Sequence, residues 1–96
     1  MKPYNQRVIV TTPGQPVPLS QVPRPVKTVT ISAFAANTTA IHIGGKEVRA
    51  RVGEANGLPM NGGTRPDQAT FDDVDLADIW IDAITALEGI SYLAWS

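Results

Sequence analysis

Cysteine is absent from the 96-residue chain, and histidine occurs only once, as His42. Without cysteine no disulfide can support the fold, and a tetrahedral zinc site would have to consist mostly of carboxylates. The serines have at most this one imidazole as a base, and no Gly-x-Ser-x-Gly elbow is present. We therefore expect no enzyme activity, no metal and no cofactor.

A large charge of one sign and a long apolar run are also lacking. The net charge is −1, and no basic stripe of the kind that binds nucleic acid stands out. No apolar run approaches the ~20 residues that span a bilayer, and no hydrophobic segment of a signal peptide follows Met1. We expect neither nucleic acid nor membrane as a partner, and synthesis in the cytoplasm without a signal peptide.

The charges that are present are divided along the chain. All eight basic residues lie within 1–65, and seven of the nine acidic residues follow position 65. Two interpretations are open: the two parts attract each other within one sandwich, or neighbouring copies attract each other head to tail.

Four acidic residues, Asp72, Asp73, Asp75 and Asp78, crowd together in a way that could hold Ca²⁺. The Gly and Glu of a helix-flanked calcium loop are missing from this segment, however. We therefore interpret these carboxylates as solvated or turn-capping groups.

Proline dominates the first quarter of the chain, where six of the eight prolines lie. Each removes a backbone donor, which excludes helix and leaves extended chain or edge strands. We predict an extended arm over residues 1–25, with a short strand at 7–12, a turn at Pro13–Gly14 and an edge segment at 17–20. The arm is expected to reach a neighbouring copy or to lie on the lattice of a larger assembly, and to be dispensable for folding. A homo-oligomer is expected, with a trimer favoured.

From residue 26 onward, apolar and polar residues alternate with the period of a β-strand. The inward face of the first two strands is predicted to be Val29, Ile31, Ala33, Ile41 and Ile43. Gly44-Gly45 suits a two-residue hairpin turn, so a partner strand is predicted at 48–52 with Arg49 and Arg51 on its outer face. Residues 53–65, rich in glycine, are predicted to form a long surface loop.

Residues 75–87 carry two conflicting patterns. Apolar spacing from Leu76 fits an amphipathic helix, capped by Asp75 and ended by Gly89. Strict alternation over residues 78–82 fits a strand. The helix would bury Trp80, whereas the strand would turn it outward, as an interface anchor, a platform for sugars or a residue covered by the arm.

Six short motifs follow one another in a recognisable order. They are Val29-Thr-Ile-Ser-Ala33, Ala36-Asn-Thr38, Ile41-His-Ile-Gly-Gly45, Gly57-Leu-Pro-Met60, Asp75-Leu-Ala-Asp-Ile-Trp-Ile81 and Gly89-Ile-Ser-Tyr-Leu93. In this order they resemble a small module of tailed-bacteriophage virion proteins, and the resemblance spans about residues 26–95. It implies an all-β, antiparallel, jelly-roll-like β-sandwich, and it favours a turn at 74–77 and a strand at 78–84. The chain departs from the module in its proline-rich arm and in the loop 61–66.

The function predicted from this resemblance is that of a virion structural protein, a capsid decoration or cement protein that binds the capsid lattice by surface complementarity. A capsid-fibre or tail component is one alternative, and a carbohydrate-binding module using Trp80 with nearby Asp residues is another. The expected partners are further copies of the chain and the major capsid protein or another virion protein. The candidate interface residues are Trp80, Trp95, Tyr92, Arg49, Arg51, Val17 and Leu19.

Overall fold

The computed structural model describes residues 3–51 and 53–96. The strands are β1 (Pro3–Ile9), β2 (Val17–Pro18), β3 (Pro25–Ala33), β4 (Ile41–Gly44), β5 (Leu58–Met60), β6 (Gln68–Asp75), β7 (Trp80–Ala83) and β8 (Gly89–Trp95). A short 3-10 turn, Leu76–Asp78, separates β6 from β7. Within these residues no helix has the length and apolar character needed to cross a membrane.

The strands form two antiparallel sheets of four strands each. Sheet I has the order β1-β8-β3-β6, and sheet II has the order β2-β7-β4-β5. Eight strands divided between two sheets in this way form a jelly-roll sandwich. The predicted all-β, antiparallel sandwich is confirmed.

The core lies between the sheets and is built from every second residue of the strands. Fully buried side chains come from both sheets: Val29, Ile31 and Ile90 from sheet I, and Ile41, Met60 and Ile81 from sheet II. The inward faces predicted for β3 and β4 are therefore confirmed. Burial of this kind contributes ~1.5–3 kcal/mol for each large aliphatic side chain.

The first 25 residues supply an edge strand to each sheet. β1 pairs with β8 along its whole length, and β2 pairs with β7. Two side chains outside these strands also enter the core: Val10, directly after β1, is 0% exposed, and Leu19, directly after β2, is 4% exposed. The segment therefore contains edge strands, as predicted, and these strands pair with β8 and β7 of the same chain.

Residues 75–87 form a turn followed by a strand, as the resemblance implied. Asp75 caps the 3-10 turn by accepting a hydrogen bond from the Ala77 amide at 2.9 Å. In β7 the side chains of Ile81 and Ala83 point inward and are buried, and the half-buried Trp80 faces outward. The strand is favoured over the helix because apolar and polar side chains alternate along β7, as its position between β2 and β4 requires.

The hairpin predicted after Gly44-Gly45 is wrong. β4 pairs with β5, which lies inside the predicted loop 53–65, and the segment 48–50 is not a strand. A turn closed by the Val48 amide on the Gly45 carbonyl, at 3.0 Å, sends the chain over the outer face of sheet II. Val48 packs there against Gly44, where an added Cβ would lie 3.3 Å from the Val48 side chain, and is 2% exposed. Val52, the end of the predicted strand, lies outside the described residues.

We expect deletion of residues 1–25 to prevent folding, because it uncovers the edge of β8 and removes Val10 and Leu19 from the core. Leu19→Ala alone should lower the free energy of unfolding by ~2–5 kcal/mol. The matched control is Val22→Ala, since Val22 is 57% exposed and should change stability little. Circular dichroism and denaturant unfolding report both; a truncated chain that still unfolds cooperatively would contradict the expectation.

Candidate interaction surfaces

Two of the residues predicted at an interface lie in the core. Tyr92 and Leu19 are each 4% exposed. The Tyr92 ring lies 5.9 Å from the ring of Tyr4, and Arg24 stacks on the Tyr4 ring at 4.2 Å. Burial, assisted by Tyr4, raises the pKa of the Tyr92 phenol above its usual range. The aromatic pair packs β1 against the core. Because Tyr92 and Leu19 are both buried, neither presents its side chain to a partner.

Trp80 and Val17 lie at the β2 edge of sheet II. In register, Trp80 stands between Pro18 on one side and Gly44 on the other, while Val17 stands beside Ile81. Both Trp80 and Val17 are half-buried. The partial burial of Trp80 reduces the area that its indole offers to a partner.

Asp82 alternates with the inward-facing Ile81 and Ala83 and so lies on the outer face of β7, yet it is 0% exposed. One carboxylate oxygen accepts the Gly14 amide at 3.0 Å, and the other accepts the Ala50 amide at 2.9 Å. The side chain does point outward, but two loops close over it. A sugar site on Trp80 therefore cannot use the Asp82 carboxylate. The signal in the sequence was an acid between Ile81 and Ala83, which is costly unless it is satisfied.

The two arginines predicted on a hairpin face are separated in their roles. Arg49 is half-buried, and its guanidinium donates to the Val48 carbonyl at 2.8 Å. Arg51 is exposed and borders a surface depression of about 430 Å³ together with Pro13 and Ile84. Of these two arginines, Arg51 is therefore the one whose side chain is available to a partner.

Two exposed aliphatic side chains lie in the turn between β7 and β8, and sequence reasoning missed them. Leu87 is 69% exposed and Ile84 is 42% exposed. Leu87 also has a φ of +69°, a left-handed conformation that is costly for a residue with a bulky side chain. Its amide donates to the Val10 carbonyl at 2.8 Å, which holds the turn against the β1–β2 connection. We call Ile84, Leu87 and the neighbouring Pro13 the apolar end.

Glu88 fixes the base of the apolar end. Its carboxylate accepts four hydrogen bonds: from the amide and hydroxyl of Thr38 at 2.6 and 2.8 Å, and from those of Thr39 at 3.2 and 2.9 Å. Partial desolvation raises the pKa of Glu88, but the hydrogen bonds from the two threonines lower it by more, so that the net pKa lies below its ordinary value. The hydrogen bonds from Thr38 and Thr39 to Glu88 therefore hold the turn that contains Leu87 in place.

The outer face of sheet I is a second candidate surface, which we call the open face. It consists of three rows of four residues, each row crossing β6, β3, β8 and β1: Asp72, Thr28, Trp95 and Pro3; Thr70, Thr30, Leu93 and Asn5; Gln68, Ser32, Ser91 and Arg7. Leu93 at its centre is 42% exposed, and Trp95 is half-buried. Of the predicted interface residues, Trp95 alone belongs to this face.

The chain matches no protein-family model, no curated protein and no solved structure. Among residues 3–51 and 53–96, no group of three or more histidine, cysteine, aspartate or glutamate side chains is placed to hold a metal ion. The acidic cluster is accounted for in part by capping, because Asp75 accepts hydrogen bonds from the amides of Arg24 and Ala77. These bonds, first that from Arg24, lower the pKa of Asp75.

We predict that Asp82→Asn lowers the free energy of unfolding by ~1–3 kcal/mol, because the amide nitrogen would face a buried N–H donor of Gly14 or Ala50. Asp78→Asn, at an exposed position earlier in the same segment, is the matched control and should change stability by less than ~0.5 kcal/mol. Urea denaturation at neutral pH measures both, and equal effects would disprove the role of Asp82.

Glu88 should make stability depend on pH. Because its folded-state pKa is lowered, its contribution is complete above the unfolded-state pKa of ~4.3 and is lost as pH falls through the folded-state pKa. Glu88→Gln should therefore cost ~1–3 kcal/mol at neutral pH, and this difference from the wild type should shrink in acid. Glu54→Gln, at an exposed position, should show no such convergence. If the difference in unfolding free energy between Glu88→Gln and the wild type stayed constant with pH, the role given to Glu88 would be contradicted.

Proposed function

We propose that the protein is a structural component of a bacteriophage virion, a capsid decoration or cement protein that attaches to the capsid lattice through its apolar end. The observation that carries the proposal is Leu87, an aliphatic side chain held 69% exposed at a φ of +69°. Strained residues persist only where their surroundings over-determine them, and they cluster at functional positions.

The apolar end is suited to bind a preformed apolar pocket on a protein lattice. Burying the exposed parts of Leu87 and Ile84 contributes ~25 cal/mol for each Å² removed from water. The Glu88 hydrogen bonds hold the turn in place, so that little conformational entropy is lost on binding. Arg51, which borders Pro13 and Ile84, adds a charged rim that can select an acidic margin on the partner.

The fold and the order of the sequence motifs support the same class of protein. Eight-stranded jelly rolls are used in viral capsid proteins and in lectins, and the six motifs resemble those of phage virion modules in their order. The surface chemistry favours a protein partner over a sugar, since the Asp82 carboxylate is occupied by two backbone amides.

We predict that Leu87→Gly weakens capsid attachment without destabilising the fold. Glycine adopts a positive φ freely, so stability should be unchanged or raised by up to ~1 kcal/mol, while the lost contact should lower affinity about tenfold or more. The measurement is co-sedimentation with shells assembled from the major capsid protein of the same genome, beside thermal unfolding.

The matched control is Leu58→Gly, because Leu58 is also an exposed leucine, at 47%, but lies on β5 away from this end. It should bind shells as the wild type does. Wild-type binding by Leu87→Gly would overturn the attachment site. Failure of the unmodified chain to bind shells, with binding to tails or fibres instead, would favour the other virion stations.

A further inference from the structure

We infer that two copies of the chain associate through the open face of sheet I, as a two-fold symmetric dimer in which the strands of the two copies cross at about 90°. This surface is separate from the apolar end, so the inference does not depend on the proposed function. It depends on how charges and apolar groups are arranged on the face.

The open face carries opposite charges at opposite corners. Asp72 lies at one end of its row on β6, and Arg7 lies at the far end of the third row on β1. Both side chains are exposed. The Arg7 guanidinium stacks over the Phe34 ring at 4.6 Å, which restrains it at its corner. The remaining residues of the three rows are uncharged, so these two charges determine which orientation a second copy prefers.

The line that joins the two charged corners, which we call the diagonal, runs at about 45° to the strands. Asp72 and Arg7 are separated by three strand spacings across the sheet, from β6 to β1, which is ~14 Å. They are separated by four residues along the strands, from the row of Thr28 to the row of Ser32, which is again ~14 Å. A two-fold axis perpendicular to this diagonal, in the plane between the copies, exchanges the two corners.

Only this orientation of two stacked faces satisfies the charges. An axis along the strands would place Asp72 over Pro3 of the second copy, and an axis across the strands would place it over Gln68. An axis along the charged diagonal would place Asp72 over Asp72 and Arg7 over Arg7, which is repulsive. The axis perpendicular to the diagonal places Asp72 over Arg7 twice, once on each side of the centre.

The favoured orientation is also one that sheets adopt when they pack. Because the axis lies at about 45° to the strands, the strands of the second copy cross those of the first at about 90°, which is the orthogonal class of sheet packing. The axis then passes close to Leu93, so that the most exposed apolar residue of the face meets its own copy. Trp95 of each copy falls near Asn5 of the other, where the indole can pack on a polar but uncharged surface.

The dimer is expected to be weak. The face measures ~20 Å in each direction, which places the interface at the lower end of the sizes seen for specific complexes. Its exposed ion pairs contribute modestly and are screened by salt. We therefore expect association at high micromolar concentration that weakens as ionic strength rises.

The test is sedimentation equilibrium of the full chain with charge-reversed variants. Arg7→Glu and Asp72→Arg should each weaken the dimer about tenfold or more, because both corners of the pair become repulsive. An equimolar mixture of the two variants should recover wild-type association. In a mixed dimer the introduced glutamate faces the introduced arginine, and the unchanged Arg7 of one copy faces the unchanged Asp72 of the other. Arg65→Glu, an exposed reversal outside the face, is the control and should leave association unchanged.

Circular dichroism of each variant establishes that the fold is retained, and Leu93→Asp should also weaken association without unfolding the chain. A wild-type chain that stays monomeric at high micromolar concentration overturns the inference. So does a trimer, or a dimer that neither charge reversal weakens. A dimer weakened by both reversals but not restored by mixing them would place the two charges in separate contacts, and would overturn the symmetric pairing.

Discussion

Two buried carboxylates within one short stretch hold the connections of this sandwich in place. Asp82 accepts the amides of Gly14 and Ala50, which joins the β1–β2 and β4–β5 connections across the outer face of sheet II. Shortly after it in sequence, Glu88 accepts four hydrogen bonds from Thr38 and Thr39, in the connection between β3 and β4. Loops of a jelly roll have no ladder of their own to satisfy their amides. Side-chain acceptors on β7 and just before β8 take over that role, and the positions of the surface features follow from them.

The two outer faces of the sandwich differ as a result. Sheet II is covered by the segment that Asp82 holds, and Val48 and Ala50 of that segment are 2% and 1% exposed. Sheet I has hydroxyl and amide side chains on its outer face, with Leu93 at the centre and a charge at each of two corners. One face is thus covered by the chain itself, and the other is open to solvent. The apolar end adds a third environment, which is rigid and strained.

Strand periodicity was enough to predict the core of this fold and too little to predict its surfaces. Alternation in β3 and β4 identified their inward residues, because a half-buried strand must alternate. The partner of β4 was misplaced because 48–50 alternates as a strand would, although its apolar side chains pack over a sheet and not within it. Trp95 and Tyr92 were both named as interface residues, yet Trp95 lies half-buried on the outer face and Tyr92 lies in the core, since neighbouring positions along a strand point to opposite faces. Leu87 was overlooked because an exposed leucine in a turn has no periodic signature, and its strain depends on backbone geometry that no pattern encodes.

The place of β8 within sheet I has a consequence for how the chain is made. β8 comprises residues 89–95, the last strand in sequence, and it lies between β1 and β3, pairing with both. During synthesis β1 and β3 therefore emerge without the strand that joins them, and each has an unpaired edge until residues 89–95 leave the ribosome. Pairings this distant in sequence form slowly, since loop closure must precede the gain in contacts. The prolines around β1 and β2 then acquire a second role: they lack amide donors, and so they limit mispairing between nascent chains during that interval.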